Sequence, residues 1–214
     1  MAYETVSDLI KAFREDEKDE VAPYLWSDGQ LVRFANGALM AFADKTKSII
    51  DDSYLIEFAA DEDVLDYPET IIDVIDAEIA VGEKSWPIDV RSPGEIRRSY
   101  LPKSGRVCVI LADNAVGKLR LVPKPAAAGV LNLQAIRRPL KELSKDAKIP
   151  DVNPAHREYL LLHMKHRAYN VADGEIFDSA KATGFLIEFN AECQRIYEEA
   201  LRRRGGARTI RYKG

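Results

Sequence analysis

YLWSDGQLVRFANGALMAFADKT, residues 24–46, decides how the rest of the chain reads. Ser27 is an N-cap residue with Asp28 in the first turn, and Leu31, Phe34, Ala35, Ala38, Leu39 and Phe42 follow at spacings of 3, 1, 3, 1 and 3. That spacing is one face of an α-helix, and a stripe so apolar needs a partner to cover it. Gly37 weakens the helix by up to about 1 kcal/mol relative to alanine, and its missing side chain would let another helix approach closely. Upstream, Ser7 caps a shorter helix carrying Val6, Leu9, Ile10 and Phe13 on one side.

Downstream the texture changes. From about Ser53 to Leu140, short β-branched runs alternate with Pro, Gly and Asp. Residues 70–81 (TIIDVIDAEIAV) read as a strand with a turn at Gly82, Glu83 and Lys84, and SPGEIRRSYL as a short helix capped by Ser92 with Pro93 at its first position. RVCVIL, the turn ADNAVG, KLRLV, a turn bracketed by Pro123 and Pro125, and VLNLQAIRR read as three strands in meander order. After a charged connection, Asn153 and Pro154 open a helix to about Asn170 with Leu161, Met164 and Ala168 on one face. Asp178 caps the longest helix, in which Phe185, Phe189, Cys193, Ile196 and Ala200 form a stripe, and Gly205 and Gly206 end it.

The order helices, strands, helices predicts an α+β fold: a helical bundle closed by both ends of the chain, with an antiparallel β domain inserted. Residues 1–52 are the N-terminal helices of the bundle, 53–140 the inserted β-rich domain, 141–204 the C-terminal helical hairpin, and 205–214 an extended tail.

With 214 residues, of which 46% are hydrophobic and 31% charged, the chain suffices for a buried core of one or two domains. No stretch approaches the roughly 18 apolar residues of a membrane span, and the acidic start lacks the pattern of a secretory signal. Two cysteines, Cys108 and Cys193, exclude a disulfide framework and fit a reducing compartment such as the cytoplasm. The formal net charge of −4 hides a split: residues 1–82 hold 6 Lys or Arg against 20 Asp or Glu, and residues 83–214 hold 25 against 15.

No catalytic constellation emerges. His156, His163 and His166 share one predicted helix, but HMKH lacks the HExxH pattern and a third ligand, so solvated or interface histidines are the preferred reading. Cys108, inside RVCVIL, and Cys193, on the last helical stripe, read as core residues. VGEKS (81–85) and AVGKL (115–119) lack the earlier glycine of a phosphate loop, and AVGKL is explained by a hairpin turn. The stretch from Asp51 to Asp76 has ten carboxylates and no Lys or Arg, without the ligand spacing of a calcium loop. It reads as a solvated acidic surface or one that faces a basic partner.

The C-terminus is different. From Arg195 to Gly214 there are seven basic and two acidic residues, ending in RTIRYKG. Three readings stand side by side: a basic tail that neutralises nucleic-acid phosphates, an extended strand added to another protein's sheet edge, and a solvated terminus. In the strand reading Thr209, Arg211 and Lys213 lie on one side and Ile210 and Tyr212 on the other.

Four segments resemble the head-to-tail adaptor, or head completion, proteins of tailed bacteriophages. They are residues 7–46 with the W-S-D cap, residues 118–140 (KLRLVPKPAAAGVLNLQAIRRPL), the helical hairpin from Ile149 to Arg204 with its Arg-Ala-Tyr and Phe-Asp, and the tail RTIRYKG. The resemblance implies a virion structural protein of the neck, assembled in the host cytoplasm, without catalysis or cofactor. It implies a closed ring of about twelve copies, which requires a heterologous interface for which the unlike charges along the chain are suited. It further implies that the tail docks on the portal protein through Arg204, Arg208, Thr209, Ile210, Arg211 and Tyr212, and that the β domain meets the next tail or nozzle protein. Packaged DNA then only passes through the channel, and no membrane is involved. The alternative from another class is a cytoplasmic nucleic-acid-binding protein that uses the basic C-terminus.

Overall fold

The computed structural model describes residues 3–96, 101, 103–115, 117–172 and 176–205. The fold is α+β and divides into two compact units, one made of the chain up to Ile49 and from Pro139 onward, the other of Ile50–Arg138. Residues 50–138 carry 11 Lys or Arg and 15 Asp or Glu, whereas the flanking stretches together carry 20 of each. The charge split along the sequence is therefore not a split between the units.

The first unit is helical: α1 (Val6–Glu17), α2 (Asp28–Thr46), α3 (Tyr159–Tyr169) and α4 (Ser179–Gly205). Thr5, not Ser7, caps α1, because its hydroxyl accepts the Asp8 N–H while the Asp8 carboxylate accepts the N–H groups of Thr5 and Glu4. Ser7 lies inside the first turn. Ser27 caps α2 as expected, with Gln30 completing the reciprocal box, and every residue of the expected stripe is buried. A short 3-10 turn at Pro154–His156, capped by Asn153, precedes α3, and Asp178 accepts the N–H groups of Ala180 and Lys181 to start α4.

All four helices contribute to one core. Phe13 of α1, Phe34 and Phe42 of α2, Met164 of α3 and Phe189 of α4 are buried in it together with Trp26. Trp26 meets Phe13 and Tyr169 edge-on at 5.2 and 5.9 Å, and its indole N–H donates to Ala168 O at 3.3 Å. The two ends of the chain are also joined by backbone, since Val6 N–H donates to Ala147 O and Ile149 N–H to Glu4 O. The Asn36 side chain clasps Leu143 by both its amide groups. Gly37 does not serve close helix packing: a Cβ there would meet nothing within 4 Å.

The second unit holds a seven-stranded sheet in the order β1 (Ile50–Phe58), β9 (Gly129–Arg137), β3 (Ile71–Val81), β4 (Lys84–Arg91), β6 (Val109–Ala115), β7 (Lys118–Val122), β2 (Val64–Asp66). A two-stranded piece pairs β5 (Ser104–Gly105) with β8 (Lys124–Pro125). Two expectations change. The sheet is mixed, because β4 runs parallel to β6 and β5 parallel to β8. The meander is also broken: β9 does not follow β7 but lies antiparallel between β1 and β3. Its inward residues Leu131 and Leu133 stand opposite Ile79 and Ala77 of β3, so same-face apolar pairing fixes the register and draws the last strand away from its sequence neighbour. Strand β6 also continues through most of the expected turn ADNAVG, and Ser92–Glu95 forms only a single 3-10 turn.

Glycine substitutions separate the two units. At Gly129 a Cβ would lie 2.3 Å from Ala80 O and 2.7 Å from the Phe58 ring. Gly129→Ala is expected to lower stability by about 1–3 kcal/mol, the scale of overpacking, read as a lower urea midpoint. Gly37→Ala is expected to raise it by up to about 1 kcal/mol; a loss at Gly37 would show packing at that site that the fold lacks.

Candidate interaction surfaces

α4 extends beyond the core. Its last buried residue is Ile196, and nine further helical residues follow, about 13 Å of helix at the usual rise. Leu201, Arg202 and Arg203 are exposed there. Arg203 is ion-paired with Glu199, and Arg195 with Glu192 at 2.8 Å, so part of this stretch's positive charge is matched on the helix itself. Arg204 is in the last turn of α4, while Arg208, Thr209, Ile210, Arg211 and Tyr212 lie outside the described residues.

The histidines are placed by packing. His163 is buried with its ring 5.0 Å from Phe189 and 5.7 Å from His166, and its Nδ1 has no hydrogen-bond partner among the described residues. Burial, and then the nearby His166, Arg167 and Lys45, push its pKa down to about 4. His166 Nδ1 contacts Ala182 O at 2.9 Å, which ties α3 to α4. His156 packs between Phe42 and Tyr159, and burial lowers its pKa. Among the described residues, no three His, Cys, Asp or Glu side chains are arranged to hold a metal ion.

The cysteines differ from each other. Cys193 is buried in the helical core and its thiol is pushed up to about 12. Cys108, expected in the core, is exposed. Val107 and Ile110 turn inward beside it, and the apolar run hid which way Cys108 faces.

Three carboxylates of the acidic stretch are matched by cations of the same unit. Asp51, held by the Ser53 hydroxyl and N–H and by Arg137, has its pKa lowered to about 2. Asp63 pairs with Arg120 and Lys124, and Asp66 with Lys118. Asp52, Asp76 and Glu78, with Asn132 and Gln134, line a shallow cleft on the solvent side of β1, β9 and β3. The Gly-Lys segments are turns: Gly82 (φ 60°) links β3 to β4, and Gly117 (φ 67°) precedes β7.

A groove of about 650 Å³ opens beside the β3–β4 turn, lined by Val81, Lys84, Trp86, Arg106, Val107 and Pro125 among others. Arg106 covers the Trp86 ring at 4.4 Å, and the indole N–H donates to Val107 O at 2.9 Å. The sequence offered no local signal for this site, because Trp86 and Arg106 are brought together only by the parallel pairing of β4 and β6. It is a concave, partly apolar surface with one stacked cation, suited to a protein segment.

His163 supplies a test of the core. Its folded pKa lies below the unfolded value of about 6.5, so the stability that the neutral ring permits is present above pH 6.5 and lost as pH falls toward 4, by at most about 3 kcal/mol. His163→Phe is expected to flatten the melting temperature between pH 6.5 and 4 while leaving it near wild type at pH 7.5; an unchanged acid slope would contradict this. No helix of the described residues is long and apolar enough to cross a membrane. No curated protein matches the chain. The sequence model of the SU10 adaptor protein matches residues 4–211, through both units and into the tail. A match over that span means that the chain belongs to the SU10 adaptor protein family, a family of phage adaptor proteins.

Proposed function

We propose that this phage adaptor is the head-to-tail connector of its virion: a closed ring of about twelve copies that joins the portal to the next tail component around the path of the DNA. The observation that carries the reading is the family match, which reaches residue 211 and so includes most of the tail. In this reading the tail docks on the portal as an added strand, with Ile210 and Tyr212 as anchors and Arg208 and Arg211 as charged contacts, while Arg204 and Thr209 flank them. The exposed end of α4 supports it, because the helix carries the tail some 13 Å beyond the last core residue. The Trp86–Arg106 groove is offered to the downstream tail or nozzle protein. The role is structural and involves no catalysis.

A nucleic-acid role gains less support, since Arg195 and Arg203 are each paired with a glutamate and the helical unit as a whole is formally neutral. Deleting residues 206–214, which leaves α4 whole, is expected to abolish co-sedimentation with purified portal without lowering the melting temperature. Portal binding at wild-type affinity by the truncated chain would reject tail docking, and steeply salt-dependent DNA binding lost on truncation would favour the nucleic-acid role.

A further inference from the structure

The loop between α1 and α2 keeps apolar side chains in water and yet is firmly held. Val21 is 82% exposed, Leu25 50% and Tyr24 48%. On one side of them Asp19 is buried, and its carboxylate binds Arg14 and accepts the Leu25 N–H at 2.8 Å. On the other side Trp26 is buried in the core, and its carbonyl accepts a hydrogen bond from Arg14 at 3.0 Å. The Tyr24 ring lies over the same guanidinium at 3.8 Å. A loop already ordered by a buried ion pair loses little freedom on binding, and apolar residues grouped in water mark a contact surface.

A receptor for such a loop lies further along α2. Arg33, Gly37 and Met40, spaced by four and three, share the solvent side of the helix and, with Leu39, Pro139 and Leu140, line a groove of about 460 Å³. Met40 is 42% and Leu140 60% exposed. Gly37 leaves the floor open, since a Cβ there would meet nothing within 4 Å. A glycine inside a helix costs up to about 1 kcal/mol, and no turn or close packing within the unit accounts for this one.

We propose that Val21 and Leu25 of one copy seat in the α2 groove of the next, over Gly37 and between Met40 and Leu140. The charges agree. Glu20 beside the loop is exposed and has no ion pair among the described residues; Arg33 and Lys141 at the groove likewise have none, and Glu142 is the carboxylate that partly offsets them. The loop ends before the first turn of α2 and Gly37 lies in its third, about 13 Å along the axis from the first helical residue, so a copy cannot fill its own groove. Two different patches meeting make a heterologous contact, the kind that closes into rings. The setting rests on the ring reading above; the contact itself rests on the geometry of one chain.

The test uses the full-length chain in two variants, V21D/L25D, which spoils the loop, and Gly37→Phe, which fills the groove; Gly37→Ala serves as the control for folding. Each variant alone is expected to weaken self-association by roughly tenfold or more, the scale of losing an apolar anchor. An equimolar mixture keeps one intact loop and one intact groove, so native mass spectrometry should show 1:1 pairs and nothing longer. For a weak contact, Leu25→Cys and Gly37→Cys chains in a Cys108→Ser background should form a disulfide heterodimer on mixing and oxidation, whereas a Leu55→Cys chain should not pair with Gly37→Cys. Variants that assemble like wild type, or the absence of the cross-link, overturn the contact. Portal binding without the cross-link removes this inference alone, and the cross-link without portal binding removes the head-to-tail reading alone.

Discussion

The apolar stripe of α2 cannot stay in water, and what covers it arrives more than a hundred residues later. Met164, Phe189 and Ile196 come from the far end of the chain to complete the core around Phe34, Phe42 and Trp26. The hydrogen bond from Trp26 to Ala168 and the short pairing of Thr5 with Lys148 join the two ends directly. Everything between must leave and return to nearly the same place, which an inserted domain does when its own ends are neighbours. They are: Ile50 stands opposite Ile136 across antiparallel strands, and the Arg137 guanidinium binds Asp51 at 2.6 Å.

The same return accounts for the charges. Along the chain an acidic beginning faces a basic remainder, an arrangement that suits recognition between copies. In the fold much of it is matched internally, through Asp16 and Glu17 with Lys165, Asp28 with Lys145, Asp51 with Arg137, Asp63 with Arg120 and Asp66 with Lys118. Each of these pairs joins an early carboxylate to a late cation. Several are exposed and contribute little stability individually. Their consequence for function is that sequence polarity is a poor guide to the surface, and that apolar side chains kept in water, such as Val21, Leu25 and Leu140, point to contacts more directly.

Helices were more legible than strands because a helix is specified by its own neighbours. The stripe of α2, its Ser27 cap and the Asp178 start of α4 follow from residues three and four apart. The cap of α1 is Thr5 and not Ser7, although serine is the stronger cap residue, because the reciprocal bonds with Asp8 select Thr5. In the insert the composition announced strands, but β9 pairs with β1 and β3 instead of β7. Strand order depends on which apolar faces meet: the alternation in KLRLV does not name its partner, and the unbroken apolar run in RVCVIL does not say which side turns inward. For that reason Cys108 was expected inside and is exposed.

The α+β class, the change of texture that marks the insert and the helical stripes are legible in the linear order of residues, because each depends on residues close together in the chain. The order of the sheet, the burial of His163 beside Phe189, the joining of Trp86 to Arg106, and the open floor at Gly37 in the groove that Leu140 also lines emerge with the folded chain. Those depend on contacts between residues far apart, where many pairings satisfy the same local pattern and the packing of the whole selects one.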